Sequence, residues 1–124
     1  MIYRIYRRLR VDFEGYQLMG SSPEILVKLQ NRKALLRPIA GTRPRILGKE
    51  EGLKADLLKD PKEIAEHMML VDLCRNDMCR VSATESLQVS ELMSVEEYSH
   101  VYHMVSTVRS TLTSDCDKFD VIKA

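Results

Sequence analysis

Asp60-Pro61, with Glu63 close behind, leaves little choice about the middle of this chain. Asp is a strong N-cap, Pro suits the first helical position, and Glu at N3 can reach back as in a capping box. The pattern predicts a helix from 61 to about 74, stopped near Asn76. Ile64, Met68 and Val71 make its apolar stripe, and Ala65, Met69 and Leu73 widen it. An amphipathic helix needs a layer to pack on, and the flanking sequence offers strands. GYQLMG (15–20) reads as a short strand ending at a glycine and broken by Ser21-Ser22-Pro23. In EILVKLQ (24–30) Ile25, Val27 and Leu29 alternate with Leu26, Lys28 and Gln30, as in a half-buried strand. Asn31-Arg32 predicts a tight turn into a second strand over 33–40, giving a hairpin that ends at the IAGTRP corner. KEEGLKADLL (49–58) predicts a helix with acidic residues in its first turn, where the macrodipole favours them. Residues 86–93 and 98–112 are rich in Val, Tyr, Thr and Ser and predict two more strands. The second is long enough to belong to a large twisted sheet. Residues 115–123 can start a last helix. The class is α+β, with hairpins and helices packed against them.

The 124 residues amount to one domain at most, and 44% apolar with 30% charged is ordinary for a soluble globular chain. A net charge of +1 argues against a nucleic-acid or anionic-membrane partner. No apolar run approaches the ~20 residues of a membrane helix, and MIYRIYRRLRV has no signal-like apolar core. Cys74, Cys79 and Cys116 form no disulfide framework and no zinc spacing, which reads as reduced thiols in a cytoplasmic setting.

RPIAGTRPR (37–45) asks for more than a turn. A turn needs a Gly and a Pro. It does not need a Thr beside the Gly, or arginines at 37, 43 and 45. The arrangement suggests a backbone corner that meets something small and anionic, with arginines that either steer the anion or keep a hairpin end soluble. Glu63 and Glu66, at i and i+3, share a helix face distinct from the apolar stripe. Two carboxylates there suit a hard cation such as Mg²⁺, although a solvated acidic face is the plainer reading. His103 alternates onto one strand face with Val101, Val105 and Thr107, where a hydrogen-bonded core histidine is the commoner outcome. Glu24 opens a strand and can act as a general acid if burial raises its pKa; otherwise it is surface decoration. Arg75-Asn76-Asp77 reads as a local cap network. No P-loop, dinucleotide fingerprint, zinc ribbon or nucleophile elbow is present.

Taken in order, GSSPE (20–24), RPIAGTRPR (37–45), DPKEIAEHMMLVDLCRNDMCRV (60–81) and ELMSVEEYSHVYHMVSTVR (91–109) resemble the chorismate-utilising enzymes, most of all their anthranilate synthase component I branch. The resemblance covers roughly residues 15–124 and leaves 1–14 poorly matched. It implies part of a large β-sandwich with helices packed outside. It also implies roles. Ala40, Gly41 and Thr42 meet the dianionic substrate, Glu63 and Glu66 bind Mg²⁺, Glu24 is the general acid for loss of the C4 hydroxyl, and His103 lies beside that hydroxyl and the ring. Ala40 stands where many aminodeoxychorismate synthases carry a nucleophilic lysine, which favours anthranilate as product. A glutamine amidotransferase partner would supply the ammonia.

The chain also departs from the family. Members are several times longer, and a second pair of metal-binding glutamates, a substrate-binding arginine and a late lysine have no counterpart here. The Asn-Pro-Ser-Pro-Tyr-Met segment that lines the family's tryptophan pocket is missing between YRRLRV and DFEGYQLMGSSPE, so feedback inhibition is not expected of this chain. A partial site predicts weak Mg²⁺ and chorismate binding and no synthase activity alone, unless another chain supplies the missing half. The alternatives are an aminodeoxychorismate synthase and a non-catalytic remnant.

Overall fold

A computed structural model describes residues 7–22 and 24–124, with side chains from Arg10 onward. In chain order they form β1 (Arg7–Phe13), β2 (Tyr16–Ser22), β3 (Lys28–Gln30), β4 (Lys33–Leu36), β5 (Ile39–Pro44), α1 (Glu50–Leu57), α2 (Pro61–Cys79), β6 (Gln88–Glu97), β7 (Val101–Thr111) and α3 (Lys118–Lys123). β1 and β2 make an antiparallel hairpin of their own, in register from Arg7–Ser22 to Phe13–Tyr16. Every residue of β2 is exposed, and the Phe13 and Tyr16 rings stack at 4.7 Å.

The other five strands are organised by β7. One of its edges pairs with β4 (Lys33–Thr111 to Leu36–Val108) and then, further along, with β5 (Ile39–Val105 to Pro44–Val101). Its other edge pairs with β6, from Gln88–Arg109 to Glu97–Tyr102. β3 adds outside β4 through a turn in which both Asn31 and Arg32 have positive φ, as a two-residue hairpin turn requires. β7 is long because it backs two shorter strands laid end to end.

The helices pack on one face of this sheet. Leu57 of α1 meets Tyr102 and Met104 in one buried cluster. Met78 of α2 and Val121 of α3 meet Ala34, Val81 and Leu112 in another. This is the α+β class expected, with the predicted hairpin turn in place. Several boundaries differ. Residues 24–27 keep alternating burial without forming a strand. The strand expected over 33–40 breaks at Arg37-Pro38, and the corner expected to end it is itself strand β5. β2 continues through Ser21 and Ser22, and β6 reaches Glu97 rather than 93. α2 passes Asn76 and ends at Cys79, because Met78 extends the buried stripe into the core. That stripe runs through His67, Val71 and Met78; Ala65 is exposed, and so are Met69 at 64% and Leu73 at 53%. Among the described residues no helix is long and apolar enough to cross a membrane.

Candidate active site

Two of the sequence blocks meet on adjacent strands. Between Ile39 and Thr42 the β5–β7 register shifts, so Ala40 and Gly41 lie in a bulge. Gly41 has φ +85°, and a Cβ there would sit 3.0 Å from Leu57 Cδ1 and 3.3 Å from Glu63 Oε2. Both the backbone conformation and the close approach of α1 and α2 therefore call for glycine. Pairing resumes at Thr42, opposite His103, and Thr42 Oγ1 lies 2.9 Å from His103 Nδ1. With Nδ1 engaged, Nε2 is the ring nitrogen available to a ligand. The Tyr98 ring stands edge-on to His103 at 4.9 Å. Its hydroxyl donates to Glu96 at 3.2 Å, and Glu96 also accepts a salt bridge from Arg37. Burial, then the Glu96 charge, pushes the Tyr98 phenol up to about 12, so it keeps its proton.

On the helix side of the same strand, Arg43 binds three carboxylates: Asp56 at 2.6 Å, Asp60 at 2.7 Å and Glu63 at 3.2 Å. They raise the guanidinium pKa above its ordinary value, and Arg43, followed by the Lys62 and Glu63 amides, holds Asp60 below the usual carboxylate range. Arg45 pairs with Glu97 at 2.8 Å. All three arginines of the corner are thus engaged within the chain. They buckle β5 to α1, α2 and β6 instead of standing free to steer an anion.

The site residues read from the sequence fall into three groups. Thr42 and His103 are in direct contact, and His103 is half-buried at a polar cluster rather than locked in the core. Glu63 meets the corner from the opposite face, at Gly41 and Arg43. Glu66, one turn on, is exposed and pairs with Lys62 at 3.6 Å. Glu24 is exposed, its amide donating to Ser22 Oγ and its carbonyl accepting from the same hydroxyl. A groove at the far end of β7, lined by Lys28, Lys33 and Arg109 among others, contains none of these residues.

Glu63 and Glu66 offer the hard oxygen donors that a hydrated Mg²⁺ takes. They fit one side of such a site. Among the described residues no third His, Cys, Asp or Glu joins a metal-holding group, and Glu63 already shares its charge with Arg43.

Sequence reasoning missed the buried histidine. His67 is fully buried on α2 and its Nε2 lies 2.6 Å from Ser106 Oγ on β7. Burial lowers its pKa, so the ring is neutral. Its place was readable: His67 stands three residues after Ile64 and four before Val71, on the same helical stripe.

The chorismate binding enzyme family model matches residues 6–124. The chain belongs to the chorismate-binding enzyme family. Anthranilate synthase component 1 from Synechocystis sp. (strain ATCC 27184 / PCC 6803 / Kazusa) is 48% identical over 98% of this chain and 27% of its own length. The 2-amino-4-deoxychorismate synthase of Streptomyces globisporus is 46% identical over 97% of this chain and 27% of its own. The crystal structure of anthranilate synthase component I from Streptococcus pneumoniae TIGR4 superposes with a TM-score of 0.83 at 41% identity, over 94% of this chain and 25% of that one. This chorismate-binding enzyme chain therefore spans about a quarter of the length of the relatives it matches.

Proposed function

We propose that the chain forms one wall of a chorismate site of the anthranilate synthase type. In that reaction ammonia adds at ring C2, the C4 hydroxyl leaves and pyruvate is eliminated, which makes the enzyme a lyase. The observation that carries the reading is the contact of Thr42 with His103, which joins the Ala-Gly-Thr block to the Ser-His-Val block 61 residues away. Ala40, Gly41 and Thr42 contact the substrate; Gly41 lets the backbone approach, and Thr42 offers a hydroxyl and an amide. His103 lies beside the ring and the departing hydroxyl. Glu24, exposed on this wall, would give that hydroxyl its proton once the rest of the site covers it. Glu63 and Glu66 would hold Mg²⁺, which would supply positive charge for the substrate carboxylate. A glutamine amidotransferase subunit supplies the ammonia, in a compartment where Cys74, Cys79 and Cys116 stay reduced.

The experiment replaces the matching quarter of the Synechocystis relative with residues 6–124 of this chain and follows anthranilate fluorescence from chorismate and ammonia. An active graft that loses turnover on His103→Ala and Thr42→Ala supports the reading. A graft that folds without turnover, or keeps turnover in both variants, removes it. The chain alone, with two carboxylates for a metal, gives no turnover in the same assay. The Streptomyces relative favours a second reading, in which the 2-amino-4-deoxychorismate intermediate is released with its pyruvyl group intact. The mass of the graft's product separates the two.

A further inference from the structure

His67 has no part in the site as proposed, yet its contact with Ser106 sits close to two irregularities of the sheet. On one side of β7, β5 leaves register between Ile39 and Thr42. On the other side, β6 leaves register between Glu91 and Ser94, where Met93 takes a positive φ of 53° without being glycine. Ser106 lies opposite the β6 irregularity, between Val105 and Thr107, and two residues from Met104, which faces the β5 one. Its amide donates to the Pro38 carbonyl at 3.2 Å, just ahead of the β5 bulge, and its Oγ accepts the Met93 amide at 2.9 Å, inside the β6 bulge. The same Oγ is 2.6 Å from His67 Nε2. Since Ser106 Oγ already accepts from Met93, its own proton is best given to Nε2, which leaves the ring proton on Nδ1. Nδ1 is buried with no partner in hydrogen-bonding geometry, and the Ala40 carbonyl lies close enough to act on the ring. One neutral side chain of α2 thus reaches the strand that carries His103 and stands beside the bulge that carries Ala40, Gly41 and Thr42.

We propose that His67 is a positioning residue: through Ser106 it fixes both bulges, and so sets where Thr42 and His103 meet. A leucine of similar bulk could fill the same space and preserve the packing of α2. It could not hold Ser106, and Met93 would keep a strained backbone with its acceptor free to rotate. The role in substrate placement rests on the chorismate reading of the corner, but the geometry is testable without ligand.

The test follows the Thr42 amide and the His103 ring nitrogens by ¹⁵N NMR in the full chain, with no chorismate present. His67→Leu moves both sets of resonances and loses the His103 Nδ1 hydrogen-bond signature; His67→Gln, whose amide can still reach Ser106, restores them. Val121→Ala, a cavity in the other core cluster, serves as the stability control and leaves both sets unmoved. Ser106→Ala, which removes one hydroxyl, repeats the His67→Leu pattern and replaces it if the leucine variant does not fold. Unchanged Thr42 and His103 signals in a folded His67→Leu or Ser106→Ala chain would overturn the proposal, as would an equal change in Val121→Ala. A folded graft without turnover, with the NMR pattern as expected, would overturn the substrate reading alone.

Discussion

Gly41 and His67 approach the same short bulge from two directions. At Gly41 the backbone is left-handed and a Cβ would press on Leu57 and the Glu63 carboxylate. Gly41→Ala is expected to lose about 2 kcal/mol in urea unfolding, the backbone strain accounting for ~1–2 of it. In a double-mutant cycle with Leu57→Ala, which is itself costly, only the part due to crowding should appear as coupling. His67 gives the chain a pH signature. Its ordinary pKa of 6.5 is lowered by burial, so between that value and the folded one the unfolded chain binds a proton that the folded chain resists. Its contribution to stability is complete above about 6.5 and is lost as the pH falls, by up to about 1.4 kcal/mol per unit. Urea midpoints measured from pH 7.5 downward should show that slope, and His67→Gln should flatten it. Gly41 and Thr42 were legible because their residue types are odd for a plain turn. Arg43 was not: its partners Asp56, Asp60 and Glu63 gather where α1 passes into α2, and no local pattern shows that β5 runs beside that junction.

The start of α2 was legible and its end was not, for one physical reason. Asp60 accepts the Lys62 and Glu63 amides, a local bond written in adjacent residues. The reciprocal arm of the expected capping box is absent, since Glu63 turns to Arg43 instead. Asp60→Asn keeps the cap and loses the Arg43 pairing, while Asp60→Ala loses both. The melting temperature is therefore expected to fall in the order wild type, Asn, Ala, with 1 M salt shrinking the first step and sparing the second. At the other end, the weak stop at Asn76 is overridden by burial of Met78 against Ala34, Val81 and Leu112. Met78→Ala should cost roughly 2–5 kcal/mol by denaturant unfolding. A result near zero would mean that the last turn of α2 is held by something other than that core. The strands tell the same story: the Asn31-Arg32 turn is local and was readable, whereas the break at Arg37-Pro38 follows from how β4 and β5 share one edge of β7.

At the scale of the molecule, apolar surface stands open on several elements. Tyr16, Leu18 and Met19 of β2 are exposed at 63, 53 and 73%, as are Met69 and Leu73 on the outer side of α2. No strand among the described residues pairs with the outer edge of β6. Such faces and edges favour association. Sedimentation velocity should show concentration-dependent self-association of the chain, and Met69→Lys with Leu73→Lys should reduce it while leaving the melting temperature within a degree or so, as solvent-facing changes do. Unchanged association in that double variant would point to the β6 edge or the β1–β2 hairpin instead.

The placement of β7 also governs the order in which the chain can mature. Its partners β4 and β5 end at Pro44, well before β7 begins at Val101. During synthesis, the hairpin at Asn31-Arg32 and both of the first helices emerge with no sheet to receive them. Their apolar stripes must wait for β7, a wait that nascent-chain chaperones are suited to cover. Ribosome-arrested chains stopped before Val101 should therefore be protease-sensitive throughout, and protection should arrive in a single step once β7 has cleared the exit tunnel.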